Sequence, residues 1–325
     1  MAGAKLETTF VSGDRTFLLR VEDSASAADY QKYEDLRNAV WGFPEDHLAG
    51  TRNMMCENFL HEGSSLFIGA FVADEAGRFP REAASLAGFC YGFVGLRDKS
   101  RGFRDPANLW FYAQYLGVRP EFQRFGLGVR LKEFQRETLL DHYGVTQVVC
   151  TFDPLTAVNA QRNIRHFGME VIEYRVATYG EYGGLLNRLD VPTDRLFMSW
   201  DLTRPPGARE AVAVPAGTPR VLQVRTQRVR GRSGETDVEI AGEPDLYPGP
   251  KLLAPEVLLL PVPCDFYALL RETDVADSAV RGIPLDWRLK TRRAFLDLLG
   301  RGYRLADFRR AENPPFDAAY ILKKV

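Results

Sequence analysis

The segment Tyr115-Leu116-Gly117-Val118-Arg119-Pro120-Glu121-Phe122-Gln123-Arg124-Phe125-Gly126-Leu127-Gly128-Val129-Arg130 carries the most structural information in this chain. The apolar run from Leu109 to Val118 predicts a strand that ends in a Val-Arg-Pro turn. A Gln-Arg-Phe-Gly-Leu-Gly loop then opens into a helical pattern marked by Leu127, Leu131 and Phe134, predicted to run to about Asp141. Glycine lets the main chain approach a ligand closely, and the first turn of a helix presents N–H groups without intrahelical acceptors. Together with the positive end of the helix dipole, these amides make an anion site. No Gly-Lys-Ser/Thr follows, which excludes a P-loop. The G-x-G-x-x-G of a dinucleotide-binding turn is also absent.

Upstream, Phe17 to Glu22 reads as a strand. Ser26 with Asp29 begins a capping pattern, and Tyr33, Leu36 and Val40 fall on one helical face beside Trp41. Gly42 and Pro44 stop that helix, and a second helical stretch spans about 53–61. Strands follow at 65–72 and 84–95, joined as a hairpin that begins at Asp74-Glu75-Ala76-Gly77. Downstream of the glycines come a buried strand at 145–152 and a helix in which Ala157, Ala160, Ile164 and Phe167 recur. Gly168 caps that helix, and strands follow at 171–177 and 196–202. The order is β-α-α-β-β-β-α-β-α-β-β over residues 15–202. A Pro/Ala/Gly-rich linker spans 203–219.

Residues 220–325 form their own periodic set. Segments 221–229 and 237–240 are predicted to pair across 231–234. Strands are predicted at 257–262, 303–308 and 319–322, and helices at 265–272 and 285–299. In the last helix Trp287, Ala294, Phe295 and Leu298 share a face, while Arg288, Lys290, Arg292 and Arg293 are expected to decorate the rest. This part is either a degenerate second copy of the first domain or a smaller α+β accessory domain.

The 325 residues suffice for two domains, and 45% of them are apolar, enough for real cores. The 42 basic and 43 acidic residues leave a formal charge of −1, so nothing in the charge favours a nucleic-acid or anionic-membrane partner. The alternating Arg225, Arg228, Arg230 and Arg232 are balanced by Glu235, Asp237, Glu239 and Glu243. No apolar run is long enough to span a bilayer, and no secretory signal is visible. Cys56, Cys90, Cys150 and Cys264 are scattered, as reduced core thiols of a cytoplasmic protein would be. His47, His61, His142 and His166 lack ligand spacing, so no metal is expected.

Val118, Pro120, Gln123, Gly126 and Gly128 match the Gln/Arg-x-x-Gly-x-Gly/Ala motif that follows a Val-x-Pro turn in the GNAT superfamily of N-acetyltransferases, which this chain resembles. The element order of residues 15–202 agrees with that resemblance. It implies an α/β (α+β) fold in which helices flank a mixed, mostly antiparallel sheet. It also implies that the amides of Arg124, Phe125, Gly126, Leu127, Gly128 and Val129, with the backbone or side chain of Gln123, hold the diphosphate of acetyl-CoA or another acyl-CoA. Leu116 and Val118 would pair their main-chain groups with the pantetheine arm, and the Leu116 N–H is the expected oxyanion donor. Arg124 reads equally as a charge-assisted phosphate contact or as a solvated loop arginine. Asn159 and Asn163, four apart on one helical face, are candidates for the pantetheine amides or the 3′-phosphoribose side, or are surface asparagines. Many relatives place a tyrosine acid on this helix where the present chain has Ile164, so either the CoA thiolate leaves unaided or Tyr179 or Tyr182 substitutes.

The acceptor site is expected opposite the cofactor, near Trp41-Gly-Phe-Pro-Glu-Asp-His47 and the Gly-rich connection 179–194, which reads as a mobile lid. Glu45, Asp46 and Glu181 are candidate bases or amine anchors. Arg188 and Arg195 are candidates for an acceptor carboxylate. Thr-Phe-Asp-Pro (151–154), Tyr-Gly-Glu-Tyr (179–182), Pro-Thr-Asp-Arg (192–195) and the 287–295 helix resemble GNAT proteins with an extra C-terminal domain. Some of those are associated with succinyl-CoA-dependent N-succinylation of amino acids. The resemblance therefore implies transfer of an acetyl or succinyl group to a small-molecule amine, possible amino acids included. A non-catalytic acyl-CoA-binding regulator and a protein lysine or N-terminal acetyltransferase stay open, as does a homodimer formed through the C-terminal domain.

Overall fold

The computed structural model describes residues 6–24, 27–42, 64–180, 183–207, 210–246, 255–311 and 317–325. Its contacts divide the chain into two compact units: Met1–Cys150 with Asp201–Thr203, and Thr151–Trp200 with Arg204–Val325.

The first unit is built on strands hydrogen-bonded in sequence order: β1 (Glu7–Ser12), β2 (Arg15–Val21), β3 (Ser65–Val72), β4 (Leu86–Leu96), β5 (Leu109–Val118) and β6, whose span Gln147–Phe152 ends just past the unit. Pairing is antiparallel from β1 to β5 and parallel between β5 and β6, so the sheet is mixed and mostly antiparallel. β1 was not apparent in the sequence. It is an edge strand with alternating exposure and no fully buried side chain, so its polar and apolar residues leave a weak signature.

Helix α1 (Ala27–Trp41) packs Tyr30, Tyr33 and Leu36 on one sheet face against Phe67, Phe71, Phe89 and Tyr91. Gly42, at φ 67°, ends α1 by donating its N–H to Asn38. The predicted cap residue Ser26 and the predicted helix at 53–61 lie outside the described residues. Helix α2 (Leu127–Thr138) covers the opposite face with Leu127, Leu131 and Phe134 buried, and a π-helical turn extends it to Tyr143. Cys90 lies on that face, its Sγ 3.9 Å from the Leu131 carbonyl.

In the second unit a one-turn helix α3 (Ala157–Ala160) passes into a π-helical turn, Gln161–His166. Strands β7 (Glu170–Arg175) and β8 (Arg195–Asp201) pair antiparallel. β9 (Val224–Gly231) and β10 (Gly234–Ala241) form a hairpin around Arg232-Ser233, with Gly234 at φ 115°. A three-stranded sheet, ordered β11 (Val257–Pro261), β13 (Asp317–Lys324), β12 (Tyr303–Ala311), stands with helices α4 (Phe266–Glu272), α5 (Ser278–Arg281) and α6 (Ile283–Gly300). Trp287, Ala294, Phe295 and Leu298 of α6 are buried, and Phe295 stacks on Tyr174 with ring centroids 5.2 Å apart.

One expectation fails here. Arg288 does not decorate the outside of α6; it is fully buried, because a second face of the helix is also enclosed. Among the described residues no helix is long and apolar enough to cross a membrane, and no cluster of His, Cys, Asp or Glu is arranged to hold a metal ion. Cys90, Cys150 and Cys264 are not in disulfides.

Candidate functional site

The two edges of β5 differ. Along one edge it pairs with β4 from Leu96↔Leu109 to Gly88↔Val118, with a bulge that leaves Gln114 unmatched. Along the other it meets β6 only at Phe111↔Val148 and Tyr112↔Val149. In an antiparallel ladder the main-chain groups of successive residues alternate between the two edges. Arg119 donates its N–H to the Ala87 carbonyl at 2.9 Å, which sets the phase. Gly117 and Tyr115 therefore face β4. Leu116 and Val118 turn their N–H and C=O groups to the edge that β6 has left.

That edge runs directly into the glycine bend. Pro120–Phe125 forms a 3-10 turn, and Gly126 then takes φ 70°, ψ 10°, a left-handed conformation that costs other L-residues energy. The amides of Val129 and Arg130 bond to the Gly126 carbonyl at 3.0 and 3.2 Å. Those of Leu127 and Gly128 precede these first intrahelical bonds, and α2 has no side-chain cap. Gly126 is exposed, and a Cβ placed on it would meet nothing within 4 Å, so the bend is open in front.

The surrounding side chains brace this shape. Gln123 donates Nε2 to the Val118 carbonyl at 3.4 Å. Arg119 bonds the Leu86 and Ala83 carbonyls at 2.7 and 2.8 Å. Phe125 is buried beside Phe17, and Arg124 is exposed with its guanidinium 5.1 Å from the Phe125 ring centre. On the α1 face, burial and the neighbouring Tyr115 push the Tyr91 hydroxyl up to about 12. It stays protonated at neutral pH.

The other predicted residues that the structure describes lie in the second unit. Glu45, Asp46, His47, Glu181 and Tyr182 lie outside the described residues. Tyr179 places its hydroxyl 2.6 Å from Thr151 Oγ1. Asn159 is engaged locally, donating to Thr156 Oγ1 and accepting from Arg162. Asn163 is buried, and its Oδ1 has no hydrogen-bond partner among the described residues. Ile164 is fully buried.

Within the connection read as a lid, 179–194, the described residues are tied at several points, with Ala177 just ahead of it. Asp194 accepts two hydrogen bonds from Arg292, both 2.8 Å, one from the Tyr174 hydroxyl at 2.6 Å and one from the Ala177 N–H at 2.9 Å. Ala177 has φ 46°, the sole positive value at a non-glycine among the described residues. Thr193 bonds the Gly180 carbonyl and the Tyr179 amide.

The arginines considered for an acceptor carboxylate are engaged as well. Arg188 forks onto Asp190 at 2.9 Å through Nε and Nη2, and reaches Thr273 and the Leu270 and Arg281 carbonyls. Arg195 bonds the Asp194 carbonyl and lies 3.5 Å from Asp153. Asp153 also receives buried Arg288. Sequence reasoning missed this Asp153–Arg288 and Asp194–Arg292 set. The four-residue spacing of Arg288 and Arg292 on one helix was its visible trace.

No family model matches the chain, and no curated protein matches it significantly in sequence. Among solved structures it is similar to Arabidopsis thaliana NAA60 in complex with acetyl-CoA, at 14% identity and TM-score 0.41, over 58% of this chain and 99% of that one. It is similar to the ribosomal-protein-S18-alanine N-acetyltransferase of Escherichia coli at 14% identity and TM-score 0.38, over 59% and 99%. It is also similar to yncA of Salmonella typhimurium with its cofactor acetyl-CoA, at 18% identity and TM-score 0.37, over 63% and 99%.

Proposed function

We propose that this chain is an acyl-CoA-dependent N-acyltransferase of the GNAT type. One observation carries the reading: the main-chain edge at Leu116 and Val118 leads without interruption into an open bend of helix-start amides. A hydrogen-bonding edge suits an amide-bearing arm, and the bend suits the diphosphate at the end of that arm. Acyl-CoA is the substrate that joins the two.

In the reaction the Leu116 N–H polarises the thioester carbonyl and stabilises the oxyanion that develops on it. The acceptor amine forms the new C–N bond, the C–S bond breaks, and CoA departs as thiolate. A thiol of ordinary pKa, about 8.5, is a competent leaving group close to neutral pH. The amine has to lose a proton, for which Glu45 and Glu181 are the candidate bases, with Tyr182 a candidate acid. Holding both reactants together supplies much of the acceleration. The donor is acetyl- or succinyl-CoA and the acceptor a small amine such as an amino acid.

Burial of Ile164, where a tyrosine acid is common, favours a second reading: a protein that binds acyl-CoA without turning it over. The hydrogen bonds that tie the 179–194 connection weigh against the lid argument for small acceptors, so peptides with free N-termini belong in the assay. Calorimetry with CoA, followed by mass spectrometry of products from acetyl- and succinyl-CoA with pooled D- and L-amino acids and peptides, tests all three. Product supports the enzyme and identifies its acceptor class. Binding without product supports the second reading, and absence of CoA binding overturns both.

A further inference from the structure

We propose that the second unit binds a small monovalent anion, of the size of chloride or bromide, against the buried guanidinium of Arg288. Arg288 lies on α6 and is fully enclosed. A guanidinium carries five N–H donors and no acceptor. Nη2 donates to Asp153, while Nε and Nη1 are buried and have no hydrogen-bond partner among the described residues. A buried donor without an acceptor is destabilising, most of all on a charged group, and native folds rarely leave one. Burial opposes the charge of Arg288, yet attraction and a hydrogen bond to Asp153 outweigh it, so the group stays ionised.

The charges around Arg288 do not balance. Asp153 lies 3.5 Å from Arg195 as well, and Asp194, whose charge also acts on Arg288, holds Arg292. Among the described residues Arg195, Arg288 and Arg292 thus face Asp153 and Asp194, one cation in excess. Neither carboxylate is free to turn to the rest of Arg288. Asp153 Oδ1 accepts from the Leu155 N–H at 2.9 Å, and Asp194 accepts from Tyr174 and Ala177 besides Arg292. The guanidinium also lies over the ring of buried Phe266, 5.4 Å from its centre. In such surroundings an uncompensated charge is costly, which favours an anion over a water molecule as the missing acceptor. One negative charge restores the balance. Asp153 and Arg195 are buried too, and only Arg292 reaches the rim, so the ion is taken up as the unit folds or opens.

The test is thermal unfolding of the full chain in sodium chloride against sodium gluconate at equal ionic strength, with crystals grown in sodium bromide to locate the ion. Gluconate is too large for an enclosed site. An ion that binds only the folded state raises the melting temperature, here by at least about 3 °C as chloride replaces gluconate. Arg292→Ala removes the excess cation from the partly exposed rim and should cut that rise to about half or less. Asp153→Leu with Arg288→Met removes the pair and the unpartnered donors together and should abolish it. Bromide should give an anomalous peak beside Nε or Nη1 of Arg288. A chloride effect of equal size in parent and variants is a general salt effect and overturns the site. Water, or no density, against those two nitrogens overturns it as well. Bromide at Arg288 without any chloride effect on melting marks an adventitious ion only, which also overturns it.

Discussion

The glycine bend at 123–129 and the connection at 176–195 look alike in sequence: each is rich in glycine, each carries arginine, and each invites a ligand. The structure separates them. At the bend the donors are main-chain amides with open space ahead of Gly126. In the connection the donors are side-chain charges, and Arg188 and Asp194 are already engaged by α4, α5 and α6. A charged loop is free for a ligand only if its charges lack internal partners, and composition does not report that.

The largest expected effect breaks the anchored side of this contrast. Asp153→Ala strands the buried Arg288 guanidinium, and loss of one partner from a buried ion pair costs about 3–5 kcal/mol. Joint replacement with Asp153→Leu and Arg288→Met should recover much of that in thermal or urea unfolding. A cost under about 1 kcal/mol for the single change would show that the pair does not hold the unit together.

Next comes Arg292→Ala, which removes two charge-assisted bonds to Asp194. Arg292 is partly exposed, so the expected loss is about 2 kcal/mol. Hydrogen exchange should quicken at Ala177 and Tyr179 while CoA affinity holds; unchanged exchange would mean that the connection is fixed by other means.

A smaller effect probes the open side. Gly126→Val forces a branched L-residue into a left-handed conformation, at about 1–2 kcal/mol, and should weaken CoA binding about tenfold with the fold intact. Undiminished affinity would remove the bend from the site.

The smallest is a pH effect. Burial works against ionisation of Asp190, but hydrogen bonding and charge from Arg188, with charge from Arg281, outweigh it and hold the carboxyl below its ordinary 3.8. A depressed folded value stabilises the protein above the unfolded pKa, and that contribution disappears as pH falls through the folded one. Asp190→Asn should therefore cost stability at pH 6 and very little at pH 2, as read by urea midpoints. An equal cost at both pH values would assign the effect to packing.

The described strands after the first, the strand-bend-helix unit and one buried face of each of α1, α2 and α6 were legible because each rests on local periodicity. Gly126 was legible because its spacing from Gln123 and Gly128 marks the bend, and the structure adds that it is left-handed. β1 was not, since a half-exposed edge carries no apolar face. Arg288 was not, because Asp153 lies 135 residues away and no local pattern records a partner at that distance. The same limit turned Arg188 and Arg195 from ligand candidates into internal ties.

Peptide nitrogens are alike at every residue except proline. If the diphosphate is gripped by the start of α2, then an exposed side chain such as that of Arg124 can drift in descendants of this gene without erasing nucleotide recognition, provided the turn keeps its course. Inheritance of the capacity then depends on the path of the polypeptide, and a single glycine is the allele most exposed to selection.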